Sequence, residues 1–140
     1  MDIQFPWLKS EMTPLKSIVD IHEYDVPEKP GVYIMLSYEI DYIYPWSEER
    51  GNSRVYYIGQ ASNLRKRIIG AHQKFIREAK DNPQRDYYWP RYEYGAYHGC
   101  NVCWSVCNSG KDAKETEKNF LVEFATYYGA KPVANSQSAW

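Results

Sequence analysis

The stretch VYYIGQASNLRKRI, residues 55–68, begins as one kind of element and ends as another. Val55, Tyr56, Tyr57 and Ile58 are β-branched or aromatic and favour a pleated strand. Gly59 interrupts them. Ser62 and Asn63 are both residue types that cap helices. Leu64, Ile68, Ala71 and Phe75 then recur at spacings of 4, 3 and 4, the apolar stripe of a helix. The junction carries phenols on its strand side and three consecutive cations, Arg65, Lys66 and Arg67, on its helix side.

Upstream, VYIMLSYEIDYIY (32–44) reads as a second strand, and the polar PWSEERGNSR (45–54) as a loop with Gly51-Asn52 as turn chemistry. The two strands form a long hairpin. Downstream, Asp81-Asn82-Pro83 predicts a helix end near Lys80. NPQRDYYWPRYEYGAY (82–97) reads as an aromatic, Arg-rich connection, and NVCWSVC (101–107) alternates as a third strand. Asp112 and Glu115 make a capping-box pattern for a helix over 113–128, stopped by Gly129 and Pro132. At the other end, Thr13-Pro14 predicts a short helix to about Glu23 in an N-terminal extension, residues 1–28. The order is a leading helix and then β-β-α-β-α. That predicts an α+β fold, a small three-stranded antiparallel sheet flanked by helices, occupying residues 29–140.

A chain of 140 residues suits one domain. Its 14 Tyr, five Trp and four Phe suit either an aromatic core or a partly wet binding surface. The net charge of −1 conceals an uneven distribution. Residues 1–50 hold ten acids and four bases, whereas residues 60–92 hold eight bases and three acids. A basic face of that size fits a phosphate-binding footprint, or simply a solvated helix face. No apolar run is long enough to span a membrane. The first residues lack the pattern of a signal peptide, so the expected location is intracellular and cytoplasmic. Three cysteines then read as free thiols.

Tyr33 and Tyr57 lie on adjacent strands, and in a suitable register they meet. Paired phenols can move a proton or orient a water, and they also pack well across strands. Arg67 is about 60° from Leu64 and about 40° from Ala71 around the helix, at the border of the apolar face. It could clamp a phosphate or lie as a surface arginine with a buried stem. Glu117 heads the stripe of Phe120, Leu121 and Phe124. A carboxylate there is either salt-bridged or a ligand for a hard cation. His98, Cys100, Cys103 and Cys107 look like zinc ligands, but Cys103 and Cys107 on a strand are roughly 13 Å apart, too far for one tetrahedral ion.

Together these residues resemble the GIY-YIG nuclease family. The first motif stands as GVY (31–33) and the second as YIG (57–59). Arg67 follows Gly59 by eight residues, Glu117-Lys-Asn-Phe120-Leu121 stands on the last helix, and Pro132-Val-Ala-Asn135 follows it. The resemblance covers residues 30–136. It implies a DNA endonuclease that hydrolyses phosphodiester bonds with one divalent cation, Mg²⁺ or Mn²⁺. Glu117 would hold the metal, Arg67 would neutralise phosphate charge, Tyr33 would be the general base with Tyr57 positioning the water, and Asn135 would support the site. A homodimer would supply two such sites. A catalytically silent nucleic-acid-binding module would share the fold and the residues.

Three departures stand out. Residues 38–54 lengthen the hairpin. Residues 82–97 are inserted before the third strand, and their Arg85 and Arg91, with Arg65, Lys66 and Lys74, are candidate DNA contacts. Many members also carry His or Tyr four residues after the arginine. Here that position is Ala71, and His72 comes one later. On an ideal helix His72 points about 140° away from Arg67, so it serves only if the helix is distorted near Gly70.

Overall fold

The computed structural model describes residues 5–82 and 89–135. In chain order its elements are β1 (Lys16–Ser17), a 3-10 turn (Glu23–Asp25), β2 (Gly31–Leu36), α1 (Ser47–Arg50), β3 (Val55–Ala61), α2 (Leu64–Arg67), a π-helical segment (Ile68–Gln73), α3 (Lys74–Asp81), α4 (Pro90–His98), β4 (Asn101–Val106) and α5 (Gly110–Tyr128). The class is α+β, as the pattern predicts.

The sheet has four antiparallel strands rather than three, in the order β1-β4-β2-β3. The additional strand comes from the segment expected to be a helix. Thr13 does not cap a helix: its N–H donates to the Trp104 carbonyl and its Oγ1 accepts from the Trp104 N–H, each at 3.0 Å. Ile18 N–H donates to the Cys100 carbonyl at 2.9 Å. The open edge of β4 thus takes up the backbone groups that a helix would have bonded internally. Phe5, Trp7, Ile18, Ile21 and Val26 are buried, so residues 5–28 pack on the sheet-and-helix body.

β2 is central and buried along its whole length. It ends at Leu36, earlier than the sequence suggests. The rest of the expected strand turns through Ser37, whose N–H bonds to the Arg54 carbonyl at 2.9 Å, and rejoins at a single Tyr42–Ser53 bridge. This insertion folds back on the protein: Tyr44 donates its hydroxyl to the Val55 carbonyl at 2.7 Å and sets its ring edge-on to Phe124.

The connection over 82–97 contains a helix the sequence reading lacks. Pro90 stands in the first turn of α4, where a missing N–H costs nothing. Gly95, a poor helix former, is where α4 meets α3: a Cβ there would overlap Ile76. α5 starts earlier than expected, because Ser109 rather than Asp112 is its cap; the Ser109 side chain accepts from the Asp112 N–H at 3.1 Å. Phe120, Leu121 and Phe124 of α5 are buried against β2 and β3. No helix among the described residues is long and apolar enough to cross a membrane.

Candidate active site

The register of β2 and β3 sets Tyr33 opposite Gly59 and Met35 opposite Tyr57. Opposed residues share a face, so Tyr33 and Tyr57 are diagonal neighbours with ring centroids 6.1 Å apart. Gly59 makes this possible. The Tyr33 ring lies where a side chain at 59 would stand, and a Cβ there would overlap it and crowd the edge of Tyr57. The glycine after the second tyrosine is therefore a space through which the first tyrosine passes.

His72 joins this pair through the π-helical segment. In an α-helix residues four apart stack along the axis; in a π turn the bonds run from i to i+5, and residues five apart do so. Arg67 and His72 are five apart, and the π segment from Ile68 to Gln73 lies between them. The bulge absorbs the additional residue and brings His72 to the sheet. Its Nε2 is 2.8 Å from the Tyr33 hydroxyl, and its ring meets those of Tyr33, Tyr57 and Tyr92 at centroid distances of 5.2, 5.7 and 5.1 Å. The next residue is anchored as well: Gln73 Nε2 donates to the Ile18 and Ile21 carbonyls at 2.8 and 2.9 Å. Regular α geometry would not serve both anchors. The distortion that the sequence requires for His72 is present.

Burial fixes the protonation states. His72 is enclosed, and burial followed by the charges of Arg91 and Arg67 holds its pKa well below 6.5. At neutral pH it is a neutral imidazole, able to accept from Tyr33 through Nε2. Its Nδ1 is buried with no partner among the described residues. Tyr33 is fully covered, and burial and Tyr57 raise its pKa well above 10, against the pull of Arg67 and Arg91. Tyr57 sits at the rim; burial raises it too, Arg91 and Arg67 lower it, and Glu117 adds to the rise. Neither phenol is ionised at neutral pH, so a proton can leave Tyr33 only as another arrives.

Glu117 comes from the third turn of α5 and is half-buried. Burial raises its pKa, while Arg67 and a hydrogen bond from the Gln60 backbone N–H lower it. The ion pairs among the described residues are Arg54–Asp41 and Arg65–Glu28, so none of the described cations lies within 4 Å of Glu117. Of the two alternatives for a carboxylate on this stripe, the salt bridge is absent among the described residues. Among the described residues no three His, Cys, Asp or Glu cluster as a metal cage. A single carboxylate does suit Mg²⁺, which keeps most of its waters and is completed by substrate phosphate oxygens. Cys100 and Cys107 are free thiols, and Cys103 on β4 donates its thiol to the Ile34 carbonyl.

Asn135 stands on the open edge of β3. It accepts from the Ile58 N–H at 3.1 Å and donates Nδ2 to the Ile58 carbonyl at 2.9 Å; Ala134 N–H donates to the Tyr56 carbonyl at 2.8 Å. The segment after Pro132 acts as a substitute strand that clamps both neighbours of Tyr57. Asn135 thus positions the backbone under the phenols.

No family model, curated protein or solved structure matches the chain.

The cations divide. Arg67 is exposed beside Glu117 and the tyrosines, and Lys66 and Lys74 are exposed. Arg65 is engaged within the protein: its guanidinium bonds to the Val26 carbonyl at 2.8 Å and to Glu28 at 2.6 Å, and lies over Tyr24. Arg85 lies outside the described residues. Arg91, expected as a DNA contact, stands over the Tyr57 ring at 5.8 Å. Sequence reasoning missed Tyr92 as a wall of the His72 pocket. Its only signal is its place in the aromatic insertion.

Proposed function

We propose that the protein is a metal-dependent endonuclease of the GIY-YIG type that hydrolyses phosphodiester bonds in DNA. The observation that carries this reading is the Tyr33–His72 hydrogen bond beside Tyr57, with Arg67 and the unpaired carboxylate of Glu117 at the same end of β3. A buried packing pair explains two tyrosines; it does not explain a neutral histidine, a free guanidinium and a half-buried carboxylate gathered around them.

Arg67 binds the scissile phosphate and offsets the charge that grows on its oxygens as the reaction proceeds. Tyr57, at the rim, orients the attacking water. Tyr33 takes the proton of that water while passing its own to Nε2 of His72, so no phenolate has to exist beforehand. The water oxygen forms a bond to phosphorus, and the bond from phosphorus to the leaving sugar oxygen breaks. Because Tyr33 is covered in the free protein, the rim must part as a phosphate enters. Glu117 would hold the divalent cation, Mg²⁺ or Mn²⁺, which when bound supplies Lewis-acid polarisation of the phosphate and stabilises the leaving oxygen. One such site cuts one strand; a double-strand break would need two protomers or two encounters.

The test is incubation of supercoiled, linear and branched DNA with the wild type and with Glu117→Ala, in Mg²⁺ and in Mn²⁺. Nicking by the wild type and none by the variant is expected. Nicking that survives the substitution would remove Glu117 from its role. Salt-sensitive binding without nicking in either metal would favour a silent binding module.

A further inference from the structure

Arg91 has no counterpart among the residues that carry the family resemblance, yet it lies in the site. It stands in the first turn of α4, an element within the insertion before β4. Its guanidinium carbon is 5.8 Å from the Tyr57 ring, 5.2 Å from the Tyr92 ring and 4.8 Å from the Trp89 ring. Among the described residues no carboxylate pairs with it, and its Nε is buried without a hydrogen-bond acceptor. This permanently charged group rests over rings and bonds to Tyr92, with its Nε donor unmet and no carboxylate partner among the described residues.

The two arginines converge. Arg67 and Arg91 both act electrostatically on Tyr33, on Tyr57 and on His72, and Arg91 stands over the Tyr57 ring. Two positive charges beside a neutral imidazole and two un-ionised phenols outnumber Glu117, the one carboxylate among the described residues that acts on these groups. A phosphodiester entering at Tyr57 would balance the surplus. Ring-face contact is the weaker kind for an arginine, and a bidentate phosphate contact is the stronger, charge-assisted kind. Arg91 therefore has both a resting place and a reason to leave it.

We propose that Arg91 is a second substrate-gripping arginine, which leaves the Tyr57 ring on DNA binding and, with Arg67, holds the scissile phosphate from the α4 side. The inference rests on the nuclease reading above. It gives the insertion a task in the chemistry, and the shift of Arg91 is the opening that uncovers Tyr33.

The experiment is single-turnover cleavage of a duplex oligonucleotide at saturating protein by the wild type, Arg91→Met and Arg91→Lys. It is paired with binding in Ca²⁺ across a salt series and with thermal melting of each protein. Arg91→Met is expected to cleave about 10²–10³-fold more slowly, with the slope of log affinity against log salt reduced by about one and an unchanged melting midpoint. Arg91→Lys keeps a cation over the rings, which guards the fold, and it should remain at least about tenfold slow because an ammonium lacks the fork. Wild-type rate and slope in Arg91→Met, or full rescue by lysine, overturns the role of Arg91 alone. Absence of cleavage by the wild type in Mg²⁺ and Mn²⁺ overturns the nuclease reading and this inference with it.

Discussion

Replacing His72 with Gln should change how stability depends on pH, and the change can be worked out from the site. His72 is enclosed and held neutral by burial, Arg91 and Arg67, whereas in the unfolded chain it titrates near 6.5. Below that pH the unfolded state takes up a proton that the native state refuses. Native stability therefore falls as pH falls, by about 1.4 kcal/mol per pH unit, from 6.5 down to the native pKa. The contribution is present in full above pH 6.5. By pH 4.5 the loss reaches up to about 3 kcal/mol, or roughly 1.5 M in urea midpoint for a slope of about 2 kcal/mol per molar. The groups around the ring are Tyr33, Tyr57, Tyr92, Arg67 and Arg91. These phenols and guanidiniums, like the carboxylates elsewhere, are common to both proteins, so they cancel in the difference. Urea unfolding of the wild type and His72→Gln at pH 7.5, 6.5, 5.5 and 4.5 reads the difference directly. The variant loses the Tyr33 contact and starts from a lower stability, and the gap should close steadily below pH 6.5. A gap constant across the series would mean that native His72 is open to protonation, and the relay from Tyr33 to a neutral imidazole would be untenable.

Asn135→Ala leaves the Ile58 N–H and carbonyl without their partners. At about 1–3 kcal/mol for each buried unmet group, a loss of about 2–6 kcal/mol is expected, or roughly 6–18 °C in melting midpoint; a shift under about 2 °C would show that the clamp on β3 is dispensable. Gly59→Ala drives a methyl into the Tyr33 ring and should cost about 1–3 kcal/mol by overpacking, with cleavage lost well before the fold; wild-type melting and turnover together would contradict the close passage of Tyr33. Tyr33→Phe should slow cleavage about 10²–10⁴-fold with DNA affinity unchanged, and an affinity loss as large as the rate loss would make Tyr33 a binding group. Glu117→Gln should abolish nicking while melting no lower than the wild type, because the substitution removes a half-buried carboxylate with none of the described cations within 4 Å.

Much of the frame was legible because it follows from local rules. β2, β3 and β4 carry β-branched and aromatic runs, and α5 is framed by a polar cap and Gly129 at φ 87°. β1 is two residues long, too short for any period to show, and exists because β4 offers an open edge. The α4 helix was obscured by its aromatic composition and by Gly95, which is present for close packing rather than for helix propensity.

The sequence by itself determined which groups are available: two phenols on neighbouring strands, an arginine eight residues after Gly59, and a carboxylate at the head of an apolar stripe. These positions depend on periods of two and of 3.6, which can be counted along a chain. Tertiary structure alone decided how those groups are used. Counting along an α-helix turns His72 away from the sheet. The π segment returns it, because His72 bonds to Tyr33 and Gln73 to the carbonyls of the N-terminal segment, and one additional residue in the turn accommodates both. Arg65 and Arg91 look alike in the sequence as members of one basic run. One is tied to Glu28 and Val26, and the other lies on the ring of Tyr57 with no carboxylate partner among the described residues, since what occupies a guanidinium is set by residues distant in the chain and near in space.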